Sequence, residues 1–404
     1  MRADSTRRVP TLWHGHGVAR RMTARLTAGR AALVIADAAV AAPLPPGASV
    51  RTITVDARRV DVAMVLTLAH EIARRRPEVV VAVGGGSVLD ASKIAALALA
   101  PGRALDYAIG HASRSALTML PGAAAPVDLI AVPTTIGTSS ETNSVGILKN
   151  ANGYRLLIGD CLRPRHALID PCHLATLTRN AVREGALEAF LRLAGASTGV
   201  GRTTRSDSDA VALGRALLET AARDSVTPAG RLRLARLSAA TQRSAALRGP
   251  DRFSARHWYL ANEVAFHLRV RKMAATAAVI AAVWRRICAG DARWGDRGRL
   301  EEFWARVAHA VALPLDPPTG IAALLDGWAI ASPPRPSTRR IDRIAAATEA
   351  CWGRRRPMLP GLIAADFREV LRDARWAPRP LHGDGFADGT TGRPRGGEGD
   401  EHRR

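Results

Sequence analysis

The chain has 404 residues, is 47% hydrophobic and carries 58 Lys and Arg against 36 Asp and Glu, a formal net charge of +22. Such length and apolar content suit two cored domains and exclude a disordered or fibrous protein. The basic excess invites a nucleic-acid reading, since phosphate binding releases counterions. However, lysine occurs only at Lys93, Lys149 and Lys272, so the charge is nearly all arginine, spread along a chain with few aromatics. No nucleic-acid partner is therefore expected, although a basic field would steer anions towards a cleft. Cys161, Cys172, Cys288 and Cys351 show no CxxC pairing, which fits reduced thiols in the cytoplasm. The first residues, Met1 to Arg8, lack the apolar stretch of a signal peptide, and no later segment reaches about 18 charge-free apolar residues. A cytoplasmic protein without a membrane partner is expected.

In chain order, residues 32–36 read as a strand closing at Asp37, residues 52–55 as another, and residues 61–76 as an amphipathic helix. Then come a strand at 79–83, a helix from Ser87 and a strand at 129–132. This alternation predicts an α/β fold with a mostly parallel sheet, whose ligands bind beyond the carboxyl ends of the strands. From Asp170-Pro171 the sequence becomes Ala-, Leu- and Arg-rich at helical spacing, which predicts an all-α second domain. The expected division is 1–170 for the α/β domain, 171–375 for the helical catalytic domain and 376–404 for a disordered tail poor in residues to bury.

Two segments carry chemistry. In the first, the strand 79–83 runs into Gly84-Gly85-Gly86-Ser87 and a helix bearing Asp90 and Lys93. Glycines let the backbone approach a pyrophosphate, and unpaired N–H groups at a helix start stabilise its charge. In the second, the strand 129–132 breaks into Pro133-Thr134-Thr135-Ile136-Gly137-Thr138-Ser139-Ser140-Glu141. Two such loops can converge on one nucleotide. Asp37, closing a strand, is placed either to hold a ribose 2′-hydroxyl, favouring NAD over NADP, or simply to form a turn.

Together the segments resemble the iron-containing alcohol dehydrogenase superfamily, with its GGGSxxDxxK box and its PTTxGTxSE box. The resemblance implies binding of NAD or NADP, with NAD slightly favoured, through Asp37, Gly84, Gly85, Gly86, Ser87, Asp90, Lys93, Thr134, Thr135, Thr138 and Ser140. Arg155 falls where the family usually has a lysine near the nicotinamide ribose, and His14-Gly15-His16-Gly17 resembles its N-terminal glycine turn. The resemblance further implies a homodimer.

The family's metal pattern, Asp-Ala-Leu-x-His, is matched here by Gly185-Ala186-Leu187-Glu188-Ala189, and Asn262 and Lys272 stand near its later histidines. No iron or zinc site is expected. The alternative is a relocated site using Glu184, Glu188, Glu263 and His267, which are paired at helical spacing. Without a metal, Lys272, His267 and His257 are the candidate proton-transfer residues. The expected activity is an NAD(P)-dependent oxidoreductase acting on a secondary alcohol or ketone, its substrate a small molecule or a peptide. Retained nucleotide boxes with an eroded metal pattern resemble the daptide branch of ribosomal peptide biosynthesis, where oxidation of a C-terminal threonine precedes decarboxylation and a peptide-recognition partner would assist. A maleylacetate-reductase-like enzyme and a non-catalytic nucleotide-binding subunit are the alternatives, with a dehydroquinate-synthase-like cyclase behind them.

Overall fold

A computed structural model describes residues 9–40 and 50–378. The readings made of residues 1–8, and of the tail from residue 379 onward, lie outside the described residues.

The first part of the chain is α/β. Its strands are β1 (Thr11–His14), β2 (Ala32–Asp37), β3 (Val50–Val55), β4 (Val79–Gly84), β5 (Leu117–Met119), β6 (Asp128–Pro133), β7 (Val145–Asn150), β8 (Gly153–Ile158) and β9 (His166–Ile169). Between them run α1 (Val18–Thr27), α2 (Val62–Arg75), α3 (Gly86–Ala95) and α4 (Ala104–Ala112). One sheet has the order β1-β9-β6-β4-β2-β3, with every pair parallel. β4 is buried along all six residues. Val79, Val81 and Val83 pack on one face with Ala19 of α1, while Val80 and Ala82 pack on the other with Leu68 and Ile72 of α2. A strand covered on both faces needs no polar alternation, which is why it reads as a continuous apolar run.

The strand expected at 52–55 begins at Val50, and the helix expected at 61–76 is α2 itself. Asp61 is its cap, accepting from Met64 N–H, and Arg76 closes it in the left-handed region at φ 43°. The smaller sheet, β5-β8-β7, escaped sequence reading: its β7–β8 hairpin is antiparallel and mixes small, basic and apolar residues.

The second part is helical: α5 (Arg179–Ser197), α6 (Thr204–Arg223), α7 (Pro228–Arg243), α8 (His257–Leu268), α9 (Lys272–Cys288), α10 (Arg297–Ala308), α11 (Pro317–Gly327), α12 (Thr338–Trp352) and α13 (Ala364–Arg372). Thr178, Thr203, Thr227, Asp296, Asp316 and Ser337 cap six of these helices with side-chain oxygens. α9 is the central helix. Its run from Ala275 to Trp284 is fully buried, and Trp284 meets Trp304 edge to face at 5.3 Å.

The two parts meet where α5 crosses the loop after β6. A Cβ added at Gly185 would lie 2.5 Å from Ile136 O, and one at Gly137 would lie 2.7 Å from Gly185 O. Both positions therefore require glycine for approach, although glycine inside a helix costs about 1 kcal/mol against alanine. We predict that Gly185→Ala destabilises the protein by about 1–3 kcal/mol, as overpacking does. A lower urea midpoint at unchanged m is the expected reading. A stabilised variant, as helix propensity alone would give, would show that the loop yields freely.

Candidate active site

The two nucleotide-type loops stand at the carboxyl ends of adjacent parallel strands, β4 and β6. Their glycines are required by proximity rather than by backbone angle, for none of Gly84, Gly85 and Gly86 has positive φ. A Cβ at Gly86 would lie 2.7 Å from Thr138 Cγ2, one at Gly85 would lie 3.2 Å from Thr135 Cγ2, and one at Gly84 would lie 2.7 Å from Val88 Cβ. The loops thus interlock as hydroxyl-bearing and side-chain-free surfaces. α3 begins at Gly86, one residue before the expected Ser87, and Gly85 gives it no side-chain cap. Its first N–H groups keep their donor capacity, with Ser87 exposed beside them and Thr134 buried behind. Asp37 ends β2 on the same side of the sheet, where its Oδ1 accepts from Ala39 N–H in a turn.

Asp90, Lys93 and Ser140 are joined in one buried network. Lys93, 1% exposed, places Nζ 3.2 Å from Asp90 Oδ1, 2.9 Å from Ser140 Oγ and 2.9 Å from Asn143 Oδ1. Ser140 Oγ also donates to Asp90, whose other oxygen accepts from Ile147 N–H at 3.0 Å. This network fastens α3 to the second loop and to β7. Burial holds Lys93 below the ordinary lysine range, opposed by the Asp90 charge. Arg155 is likewise engaged: it donates to Asn152 O at 3.0 Å and reaches Cys351 Sγ at 3.6 Å.

A second set of charges lies under the crossing. Arg192 on α5 donates to Gly137 O, to Ser139 Oγ at 3.1 Å and to Thr241 Oγ1 at 2.9 Å, clamping the second loop to the helical part. One turn earlier, Glu188 rests against the same loop, since a Cβ at Gly137 would lie 2.9 Å from its Oε2. Lys272, first residue of α9, holds Nζ 4.5 Å from the Trp258 ring centroid in a cation–π contact. Burial pushes Glu188 up and Lys272 down, and each charge draws the other back. Sequence reading weighed Glu188 only as a metal ligand and missed Arg192. The available signal was their spacing of one helical turn on a helix whose sides are otherwise buried.

The other proton-transfer candidates separate. His257, 2% exposed, lies beside Lys272; burial and that positive charge push it down to about 3, and its Nε2 has no partner. His267 stands at the far end of α8, with Nε2 3.7 Å from Glu263 Oε2, and is lowered by burial and by Arg343 and Arg340. The two pairs considered for a relocated metal, Glu184 with Glu188 and Glu263 with His267, do not come together. Glu184 pairs with Arg271 at 2.8 Å, and Glu263 accepts from Trp352 Nε1 at 2.8 Å. Among the described residues no group of three or more His, Cys, Asp or Glu stands together to hold an ion.

These loops and their order decide the relationship, and residues 10–171 match the iron-containing alcohol dehydrogenase family. That segment is similar to the family. A phosphonoacetaldehyde reductase of Streptomyces viridochromogenes is 36% identical over 193 residues, 45% of this chain and 47% of the relative. A mitochondrial hydroxyacid-oxoacid transhydrogenase of Caenorhabditis elegans is 38% identical over 130 residues, 28% of this chain and 26% of the relative. The chain thus spans less than half the length of these curated relatives. By fold, an NADH-dependent butanol dehydrogenase of Thermotoga maritima matches with TM-score 0.72 and 15% identity, over 90% of this chain and 96% of that one. A sulfoacetaldehyde reductase of Bifidobacterium kashiwanohense, solved with NAD+, matches with TM-score 0.68 and 16% identity over the same shares. Both the α/β part and the helical part therefore have the fold of this family.

Burial pushes Glu141, 4% exposed in the second loop, up to about 7. A raised carboxyl binds its proton in the folded state after the unfolded chain has lost it, so stability falls as pH rises from the unfolded value of 4.5 towards 7. We predict that Glu141→Gln flattens this fall. Melting temperatures of both proteins, measured from pH 4.5 to 8, should diverge towards the alkaline end in favour of the variant. Parallel profiles would contradict the assignment.

Proposed function

We propose that the chain is an NAD(P)-dependent oxidoreductase that interconverts a small alcohol and its carbonyl compound, working without the metal of its family. The interlocked loops at the ends of β4 and β6 carry this reading, since they present an uncapped helix start and hydroxyls where a dinucleotide's phosphates would lie. The bound nicotinamide would supply or accept the hydride. Asp37 favours NAD over NADP, because a carboxylate at that strand end repels a 2′-phosphate. The residues present do not fit iron or zinc. Where the family places a carboxylate this chain has Gly185, packed too closely on Ile136 O for any side chain, and the expected imidazole position is Ala189, fully buried among apolar groups.

The substrate class we favour is a carbonyl compound bearing an anion. Two relatives are named for aldehydes that carry a phosphonate or a sulfonate, and the basic excess would draw such a group to the cleft. The C-terminal threonine of a ribosomal peptide is an alcohol counterpart of this class, a β-hydroxy acid bearing a carboxylate. Its oxidation would give a β-keto acid that loses carbon dioxide without metal assistance.

We predict that NADH binds, and that Gly85→Glu weakens it roughly 100-fold or more, about 3 kcal/mol, by placing a charged side chain in the phosphate approach. Fluorescence titration of both proteins, with circular dichroism to check folding, is the measurement. Equal affinities would remove the basis for the reading. A panel of phosphonoacetaldehyde, sulfoacetaldehyde, maleylacetate, butanal and a peptide ending in threonine, assayed with NADH or NAD+ as each requires, tests the substrate class. Stoichiometric iron or zinc in the purified protein, with activity lost on its removal, would overturn the metal-free part.

A further inference from the structure

Lys272 and Glu188 come from different helices, α9 and α5, and both are half-buried. Each lies within reach of the other's charge without forming a direct ion pair, and Glu188 stands where α5 touches the second nucleotide loop. The Glu188 carboxylate lies against Gly137 of that loop, and Arg192 fixes the same loop through Gly137 O and Ser139 Oγ. Lys272 is held from behind by the Trp258 ring at 4.5 Å. Glu188 on α5, Arg192 on α5, Asp90 on α3 and His257 on α8 are the titratable or charged groups whose fields it shares. Of these, His257 is buried without a partner for Nε2, whereas Arg192 and Asp90 are committed to the hydrogen bonds already described. This leaves Lys272 as the proton-bearing group with freedom to act and Glu188 as the carboxylate whose charge most favours its ammonium.

We propose that Lys272 is the catalytic acid–base of the nucleotide-dependent reaction and that Glu188 is its positioning residue, a pair that takes the place of the family's metal. The proposal rests on the oxidoreductase reading above. In reduction the carbonyl carbon receives the hydride, and the electron pair released from the C=O bond takes a proton from Lys272 Nζ. An O–H bond forms, an N–H bond breaks, and the neutral amine regains its proton from water. In oxidation the neutral amine removes the hydroxyl proton as the hydride leaves for NAD(P)+. Glu188 sets the balance between the two directions: its charge favours the ammonium, opposing burial, which favours the amine.

The chain's scarcity of lysine makes a direct test possible. With lysine only at positions 93, 149 and 272, a protein labelled with carbon-13 at lysine Cε gives a spectrum in which Lys272 is assigned by its loss in Lys272→Arg. Lys272 should titrate below the ordinary lysine range, and Glu188→Gln should move it further down. On the fastest aldehyde of the panel, Lys272→Met should lower kcat by roughly 10²–10⁴-fold, the usual share of a general acid, with NADH affinity nearly unchanged. Lys272→Arg keeps the charge and cannot release the proton, so it should bind NADH and remain slow. Glu188→Gln should move the alkaline limb of kcat for reduction to lower pH, which a merely structural residue would not do. A wild-type protein that binds no NADH overturns the nucleotide reading and the proposal with it. NADH binding with Lys272 in its ordinary range, or with its titration unmoved by Glu188→Gln, overturns the pair alone.

Discussion

The constraint on which the rest depends is the crossing of α5 over the loop after β6, a contact with no room for a side chain at Gly185 or Gly137. Backbone approach at that distance excludes water and brings the helical part directly against the loop that ends β6. Polar groups at the crossing are then arranged around a buried carbonyl, Gly137 O, to which Arg192 donates. A buried carbonyl without a donor would cost about 1–3 kcal/mol, so the arginine is part of the fold before it is part of any chemistry. Its two further bonds, to Ser139 and Thr241, tie loop, α5 and α7 into one unit.

Burial makes these few charges matter more than the many on the surface. The exposed ion pairs that arginines do form, such as Arg103 with Asp106 and Arg297 with Glu301, are screened by water and worth little individually. Lys93 with Asp90, and Lys272 with Glu188 and Arg192, sit where each charge raises or lowers its neighbour's proton affinity. The first group is closed, Lys93 donating to Asp90 on its own helix and to Ser140 and Asn143 on the adjoining loop, and it serves as a fastening. The second is more open, with Lys272 leaning on an aromatic face rather than on a bonded partner. That difference in satisfaction separates a structural lysine from one with a proton to offer.

The comparisons fit this division. Sequence likeness is concentrated in residues 10–171, where the loops must match a nucleotide, whereas likeness of fold runs over 90% of the chain at 15–16% identity. Helices can keep their packing while the residues at their crossing points change. At the crossing of α5 this chain has Gly185 and Ala189, neither of which offers a polar side chain to a ligand.

Sequence by itself determined the parallel sheet, the two loops and the helical character of the second part. Each rests on local chemistry: continuous apolar runs for strands buried on both faces, glycines and hydroxyls at strand ends, and Ala- and Leu-rich spacing on helices. It left open what individual polar residues do. Asp90, Lys93 and Ser140, expected at the cofactor, are joined to one another, and Arg155 turns to Asn152 and Cys351, because hydrogen-bond partners 50 or 196 residues away leave no trace in spacing. The tertiary structure alone decided that Lys272, Glu188 and His257 are neighbours while His267 is not. It also decided that the three glycines serve loop approach rather than backbone twist. Proximity across three helices depends on how close two backbones come, and that distance was fixed by the absence of a side chain at Gly185.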